Sequence, residues 1–356
     1  MLNEMKAEQW LTATEKNARF NLTDTTSRPR SLDDLLAHDP GLLKGLTLDY
    51  GDITGTDRLK RAVLSLYETG TKDNVTTTAG CINANQLVMD ELIEPGDKVV
   101  TFVPGYAQYW EYPLSKGAVV EKVTVDSQMK LDLDLAAKAA RGANLILFSN
   151  PGNPSGTTLS KEDLDRLVQI ARKNGAWILC DEVYRGIGPD WLPAISDLYE
   201  KGVSTCSLSK TFGMPGLRLG WVKGPKELID KLNIRRDYTM ISTGPLNDAL
   251  AAAAIEQQDR IVKEHNAYRD KNVQILKDWL HDNKNFDAVI PEYGLVCLLK
   301  IPEKDDIQWA KDLYEQKGVL FVPGSLFEAP GTVRLGLGID HEILRQGLKL
   351  ITEESV

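Results

Sequence analysis

A regular alternation of short apolar segments and amphipathic segments between residues 75 and 207 most constrains the fold of this chain. The predicted strands, short and mostly apolar or β-branched, are residues 75–78, 98–103, 118–123, 144–149, 176–181 and 203–207. Segments between them, such as 82–93, 106–116 and 160–174, carry apolar residues at helical spacing. Apolar strands between amphipathic helices must be covered on both faces, so the alternation predicts an α/β fold with a mainly parallel sheet.

The pattern changes after residue 224. A long helical region is predicted over 245–281, followed by strands at 295–301, 319–322 and 333–337 and by helices at 307–316 and 341–352. This mixture is typical of an α+β domain. We therefore predict an N-terminal segment, 1–45, that packs with a small C-terminal domain, 283–356, and a large domain over 46–282.

Charge and cysteine content exclude several classes of function. The chain has 42 Lys plus Arg against 51 Asp plus Glu, a net charge of −9, which gives no general attraction to nucleic acid or anionic lipid. No apolar run approaches the about 18 residues of a membrane span. Cys81, Cys180, Cys206 and Cys297 are far apart, which predicts neither a metal site nor disulfides. With no signal-peptide pattern at the start, a cytoplasmic protein without nucleic-acid or membrane partners is expected.

Two polar segments follow predicted strands, where α/β sheets carry their chemistry. Residues 150–156 (NPGNPSG) form a predicted tight turn that can aim the Asn153 amide out of the sheet edge, although an ordinary turn would explain this segment equally well. Asp181 ends an apolar strand, and a buried carboxylate needs a cation or strong donor, such as a protonated pyridinium nitrogen. Tyr184 can reach the same ligand. A helix N-cap would explain Asp181 alone.

A third segment, residues 207–220 (SLSKTFGMPGLRLG), follows another strand. A partly desolvated lysine at position 210 would have a lowered pKa and become a nucleophile for carbonyls. Arg218 lies in an apolar stretch, so we expect it to be largely buried and to need an anion such as phosphate. A surface lysine would explain Lys210 alone but not the whole segment. Together the three segments fit an aldehyde cofactor that has a phosphate and a basic ring nitrogen.

The three segments resemble, in order and spacing, those of the class I/II aminotransferases, which are pyridoxal 5′-phosphate (PLP) enzymes of fold type I. The resemblance covers residues 48–337 and implies a seven-stranded sheet and PLP as cofactor. It implies that Lys210 forms the Schiff base with the cofactor and that Asp181 keeps the pyridine nitrogen protonated. Tyr184 and Asn153 would donate to the ring 3′-oxygen.

The same resemblance assigns further contacts. The phosphate ligands it implies are Gly80, Cys81, Ile82, Ser207, Ser209 and Arg218, the first three through backbone groups at a helix N-terminus. Tyr106 would cover one face of the ring. Arg334 would hold the substrate α-carboxylate beside Asn153. Tyr50 would reach the phosphate of the neighbouring subunit, which implies a homodimer.

Some positions depart from the family pattern. Ile82 stands where many relatives have a side chain that helps to bind phosphate, and Tyr106 stands where aspartate-specific relatives have tryptophan. No arginine is clearly placed within 238–243 to bind a second substrate carboxylate, which argues against a dicarboxylate specialist.

The resemblance implies transfer of an amino group between an L-amino acid and a 2-oxo acid. The same residues also suit a carbon–sulfur β-lyase or another fold-type I PLP enzyme, such as a cyclase or an oxidase, because fold and cofactor do not fix the reaction. A non-catalytic cofactor-sensing module is less favoured, since no basic helix-turn-helix segment precedes residue 45.

Overall fold

The structure is a computed structural model that describes residues 2–353. Its strands are β1 (Phe20–Asn21), β2 (Val75–Thr78), β3 (Lys98–Val103), β4 (Val119–Thr124), β5 (Leu145–Ser149), β6 (Trp177–Asp181), β7 (Gly202–Ser207), β8 (Gly220–Lys223), β9 (Asp287–Ala288), β10 (Val296–Lys300), β11 (Val319–Leu320), β12 (Val322–Pro323) and β13 (Thr332–Gly336).

The α-helices are α1 (Lys6–Thr14), α2 (Leu32–His38), α3 (Asp57–Leu64), α4 (Cys81–Leu92), α5 (Gln108–Ser115), α6 (Leu133–Ala139), α7 (Lys161–Asn174), α8 (Ile195–Leu198), α9 (Lys226–Arg236), α10 (Pro245–Glu256), α11 (Gln258–Asp282), α12 (Asp306–Lys317) and α13 (His341–Leu350). The helical region predicted as one unit over 245–281 is thus two helices, α10 and α11, separated at Gln257.

The large sheet has the strand order β2-β8-β7-β6-β5-β3-β4. The pairs β3/β4, β3/β5, β5/β6 and β6/β7 are parallel, which confirms the predicted mainly parallel sheet. Strand β8, which the sequence pattern did not predict, is antiparallel to both of its neighbours. The segment before it contains only a short 3₁₀ turn, Pro215–Leu217, and lacks the α-helix of a usual parallel crossover, so the chain returns in the opposite direction.

Side chains that alternate along the central strands pack against helices on both faces of this sheet. Leu145 and Leu147 of β5 pack into one hydrophobic cluster with α4, α5 and α9, whereas Ile146 and Phe148 pack into another with α6 and α7. Strands that are apolar on both faces are the expected result of helices on both sides.

A smaller domain contains a second, antiparallel sheet in the order β12-β13-β10-β9. The strand predicted at 319–322 is two short strands, because β11 pairs with β1 and β12 pairs with β13. Pairing of Phe20 with Val319 joins the N-terminal segment to this part of the chain. The exact domain limits at residues 45 and 282 stay a prediction.

Two kinds of feature are absent from residues 2–353. None of the helices there has both the length and the apolar character needed to cross a membrane. The same residues contain no cluster of three or more His, Cys, Asp or Glu side chains arranged to hold a metal ion.

Candidate active site

A cavity of about 450 Å³ opens at the carboxyl ends of β5, β6 and β7. The predicted site residues that line it are Cys81, Ile82, Tyr106, Asn153, Asp181, Tyr184, Ser207, Ser209, Lys210, Arg218 and Arg334. They come from seven separate segments, and parallel strands deliver most of them because their carboxyl ends meet at one edge. Gly80 and Tyr50 are the predicted residues that do not line this cavity.

Lys210 lies in the turn after β7. Its Nζ donates a 2.6 Å hydrogen bond to Thr25 Oγ1, and its carbonyl oxygen accepts one from Ser27 N at 3.2 Å. Burial lowers the pKa of Lys210 to about 8, partly opposed by the nearby Asp24 carboxylate. About a tenth of the amine is therefore neutral at pH 7, and this neutral form is the one that can act as a nucleophile. Thr25 was not predicted as a site residue, because its contact with Lys210 spans 185 positions.

Asp181, at the end of β6, is 6% exposed and confirms the expected burial of this carboxylate. Its Oδ2 accepts hydrogen bonds from Asn85 Nδ2 at 2.8 Å and Tyr109 Oη at 3.0 Å. Its Oδ1 accepts from Val183 N at 3.1 Å and from Cys81 Sγ at 3.3 Å. These donors fix the carboxylate at the cavity wall, and no lysine or arginine of the described residues pairs with it. It therefore suits a cationic nitrogen of a ligand.

Asn85 and Tyr109 are site residues that sequence reasoning missed. Asn85 Oδ1 accepts from Thr205 Oγ1 at 2.5 Å, which orients the amide so that its nitrogen faces Asp181. In the sequence, both residues resemble ordinary members of helix faces. Only the packing of α4 and α5 against the sheet brings them to Asp181.

Tyr184 is buried, and its hydroxyl has no hydrogen-bond partner within residues 2–353. Burial raises the pKa of Tyr184 to about 12, so the phenol stays protonated at neutral pH. A buried hydroxyl without a partner carries a desolvation penalty. A ligand oxygen in the cavity would remove that penalty.

Arg334, on β13, is 5% exposed, and burial lowers its pKa. Its Nη1 donates to Asn153 Oδ1 at 3.2 Å, and its Nη2 donates to Thr23 O at 3.3 Å and Thr23 Oγ1 at 3.2 Å. The guanidinium lies 5.0 Å from the centre of the Phe327 ring. It forms no ion pair within the described residues, so an anionic ligand such as a carboxylate would balance its charge.

The start of α4 and the turn before β8 form the side of the cavity suited to phosphate. Helix α4 begins after Gly80, at φ 83°, without a side-chain cap, which leaves first-turn N–H groups for a ligand. Ser207 Oγ accepts from Ser209 N at 3.3 Å. A Cβ on Gly80 would lie 2.7 Å from Arg218 Nη2, so this glycine permits the close approach of the guanidinium.

The expected burial of Arg218 is wrong, because the residue is exposed. It has left-handed backbone angles at the end of the 3₁₀ turn, and its Nη1 donates to Pro215 O at 3.0 Å. This conformation directs the side chain along the rim of the cavity. Ile82 is also exposed there, at 42%.

Two tyrosines complete the predicted set. Tyr106 precedes α5 rather than beginning the predicted helix, and its hydroxyl donates to Glu8 Oε1 at 3.1 Å. Tyr50 is 68% exposed, and its carbonyl accepts from Ser242 Oγ at 2.5 Å. Tyr50 is therefore available to another molecule rather than to the cavity of its own chain.

A ligand with an aldehyde, a phosphate and a basic ring nitrogen fits these residues. The amine of Lys210 suits the aldehyde, the uncapped start of α4 with Arg218 suits the phosphate, and Asp181 suits the protonated nitrogen. The unpartnered hydroxyl of Tyr184 supplies one further donor.

Comparisons with known proteins agree with this chemistry. The sequence profile of aminotransferase class I and II matches residues 30–351. A crystal structure of a PLP-dependent aminotransferase from Streptococcus suis 89-1591 is 33% identical, with a TM-score of 0.94 over 98% of this chain and 96% of that one.

Two other similar proteins are a synthase and a cyclase. Capreomycidine synthase of Streptomyces vinaceus is 28% identical over 98% of this chain and 92% of its own length. The PLP-dependent cyclase OrfR is 26% identical, with a TM-score of 0.92 over 99% of this chain and 97% of that one. The likenesses imply PLP as the cofactor, and the chain belongs to the class I and II aminotransferase family, with the fold of type I PLP enzymes.

Proposed function

We propose that this protein is an aminotransferase that moves an amino group between an L-amino acid and a 2-oxo acid. The observation that carries the proposal is a single cavity that holds a lysine amine of lowered pKa, Lys210, and a buried guanidinium, Arg334, that has no counter-ion among residues 2–353. The first suits a nucleophile and proton carrier, and the second suits the α-carboxylate that amino acids and 2-oxo acids share.

Each residue has a role that follows from its surroundings. When bound, PLP supplies an electron sink for the negative charge that develops at the substrate α-carbon. Arg334 would hold the α-carboxylate together with Asn153, and Asp181 would pair with the protonated ring nitrogen. Lys210 would take the α-proton and later return it. Tyr184 donates from its protonated hydroxyl to an oxygen of the ligand. Tyr106, at the cavity wall, is proposed to stack on the ring.

The first experiment is a half-reaction on the PLP-loaded protein with single amino acids and no 2-oxo acid. We expect one equivalent of 2-oxo acid per subunit, together with loss of the visible absorbance of the bound cofactor. Lys210→Ala should abolish this conversion, whereas Lys173→Ala, a change at an exposed position of α7, should leave it intact. Full conversion by Lys210→Ala would refute the assignment.

A second candidate is a reaction that consumes the amino acid without an acceptor. The likeness to capreomycidine synthase and to the cyclase OrfR favours this alternative, because neither protein is named as an aminotransferase. A cyclase would convert an amino acid over many turnovers without a 2-oxo acid and without losing the cofactor absorbance. A β-lyase would do the same while releasing pyruvate and ammonia from cystathionine or cysteine.

We further propose that the active unit is a homodimer in which Tyr50 completes the site of the partner subunit. The exposed side chains of Leu48 and Tyr50, at 82% and 68%, support it, as does Tyr238 at 89% near the Ser242 contact. Mixing the inactive variants Tyr50→Ala and Lys210→Ala should restore about a quarter of full activity through mixed dimers with one intact site. No recovery after subunit exchange would refute this arrangement.

The cysteines support a cytoplasmic location. Cys81, Cys180, Cys206 and Cys297 are all buried free thiols, as is usual in a reducing compartment.

A further inference from the structure

Three carboxylates of the cavity have no role in the chemistry described above. Glu8, Glu15 and Asp24 all line the cavity and all come from the N-terminal segment. Glu8 lies in α1, and Glu15 lies in the 3₁₀ turn that continues it, with Leu11 between them on the side that faces the cavity. Asp24 follows Thr23, whose hydroxyl and carbonyl both contact Arg334. These carboxylates are therefore close to the place where the substrate must lie.

Carboxylates outnumber cationic side chains in the lining of the cavity, four to three, although Glu8 and Glu15 are also exposed to solvent. The cationic side chains that line it within residues 2–353 are Lys210, Arg218 and Arg334. Two of them have an anionic partner in the proposed complex: Arg218 has the cofactor phosphate, and Arg334 has the substrate α-carboxylate. Asp181 is matched by the protonated ring nitrogen. Lys210, whose pKa Asp24 and Glu8 raise, offsets at most one of the three N-terminal carboxylates, and none of the three forms an ion pair with any described residue.

Each of these carboxylates uses only one of its oxygens in hydrogen bonds with the described part of the chain. Glu8 Oε1 accepts from Tyr106 Oη at 3.1 Å, and Glu15 Oε1 accepts from Asn21 Nδ2 at 3.3 Å. Asp24 Oδ1 accepts from Thr26 N at 2.9 Å and Thr26 Oγ1 at 2.8 Å. The bonds hold the carboxyl groups in place and leave the second oxygen of each available to a ligand.

An independent observation shows that this cavity is built for a ligand. Tyr184, which is 1% exposed, lines the same cavity, and its hydroxyl has no hydrogen-bond partner in the described part of the chain. The negative field of the carboxylates also reaches the reacting group, since Asp24 and Glu8 both raise the pKa of Lys210 against the larger effect of burial.

We infer that the amino acid substrate carries a positive charge on its side chain, as a guanidinium or an ammonium group, and that Glu8, Glu15 and Asp24 select it. This inference rests on the proposed function, because it takes the α-carboxylate to be held by Arg334. A side chain with a second carboxylate would face the same three negative groups and be repelled. A neutral side chain would gain no attraction from them.

The test compares isosteres that differ only in side-chain charge. The PLP-loaded protein is titrated with L-arginine and with L-citrulline, and with L-lysine and L-2-aminoheptanoate, and the dissociation constant is read from the change in cofactor absorbance. All four share the α-ammonium group, so only side-chain charge separates each pair. We expect the cationic member to bind about tenfold more tightly, with a preference that shrinks in about 0.5 M salt.

Single substitutions test whether these carboxylates cause the preference for a cationic side chain. Glu8→Gln, Glu15→Gln and Asp24→Asn should each weaken arginine binding by up to about fivefold and leave citrulline binding unchanged, because exposed charge pairs contribute modestly. Glu4→Gln removes the same charge from the same segment but outside the cavity lining, and it should leave both affinities unchanged.

Equal or tighter binding of the neutral member of either pair would overturn the inference, as would a preference for arginine over citrulline that survives in a variant with all three substitutions. If such an amino acid is still converted to its 2-oxo acid, the proposed function stands without the inferred substrate class. If arginine binds selectively but no amino acid yields a 2-oxo acid, the proposed function fails while the charge selection stands.

Discussion

The substitution Tyr184→Phe should have opposite effects on the protein without and with its cofactor. The Tyr184 hydroxyl is buried and has no hydrogen-bond partner within residues 2–353. In the cofactor-free protein, the substitution removes the desolvated Tyr184 hydroxyl and leaves the aromatic ring in place. In the PLP-loaded protein the same change deletes a donor that we propose for an oxygen of the cofactor.

The magnitudes follow from the cost of an unpaired buried hydroxyl, about 1–3 kcal/mol, and from the value of a hydrogen bond to a charged group, about 1.5–3 kcal/mol. The cofactor-free variant should therefore be at least as stable as the wild type, with a free energy of unfolding raised by about 1 kcal/mol. Its affinity for PLP should fall roughly tenfold to a hundredfold.

Tyr199→Phe is the matched control. Tyr199 is also buried, at 5% exposure, but its hydroxyl donates to Ala176 O at 2.9 Å, and it lies outside the cavity. Loss of the Tyr199 hydroxyl should lower the free energy of unfolding by about 1 kcal/mol and leave PLP affinity unchanged. The assay is denaturant unfolding of both variants and the wild type, with and without PLP, together with a direct PLP titration.

Two results would refute the reasoning. If Tyr184→Phe destabilises the cofactor-free protein as much as Tyr199→Phe does, the Tyr184 hydroxyl has a partner before the cofactor binds. If PLP affinity is unchanged in Tyr184→Phe, the hydroxyl does not donate to the cofactor.

Two further predictions concern Lys210 and the glycine before α4. The pKa of Lys210 is about 8 in the folded chain against an ordinary 10.5, so protonation of this buried amine opposes folding at neutral pH. In the cofactor-free protein, Lys210→Met should therefore raise the free energy of unfolding at pH 7 by roughly 2–3 kcal/mol. The gain should disappear as the pH rises from about 8 to 10.5, and a gain independent of pH in denaturant unfolding would contradict the stated cause. Gly80→Ala should displace Arg218 and weaken PLP binding about tenfold, because the new Cβ would lie 2.7 Å from its Nη2. Gly96→Ala has a similar φ, 91° against 83°, but open space around the Cβ, so a PLP titration that shows an equal loss there would exclude this contact as the cause.

Much of the large domain could be predicted because its signals are local. Apolar strands between amphipathic helices indicate a parallel sheet wherever the chain alternates in this way, and the structure confirms that sheet. The antiparallel strand Gly220–Lys223 was missed because it is short and follows no helix. The segment 319–322 was predicted as one strand because its apolar run is continuous, and only its two different partners divide it.

The candidate site likewise combines features that the sequence predicted with features that it did not. The residue types and spacing of Asp181, Lys210 and Arg218 were sufficient to indicate a cofactor with a phosphate and a basic nitrogen. The exposure of Arg218 was not predictable, because it depends on the left-handed turn that precedes β8. The donors Asn85 and Tyr109 were not predictable either, since nothing in their own helices distinguishes them from core residues.

The sequence by itself determined the alternation of parallel strands and helices in the large domain and the candidate site residues at the strand ends, because strand ends and turn residues are encoded within a few positions. Tertiary structure alone decided which distant side chains meet. Thr25 contacts Lys210 across 185 positions, and Thr23 contacts Arg334 across 311. The three carboxylates Glu8, Glu15 and Asp24 join this cavity because the N-terminal segment packs against the small domain, through the pairing of β1 with β11 and the packing of Ala7 on Val322 and Phe327. Such contacts leave no periodic pattern in the chain, since they depend on where each segment packs.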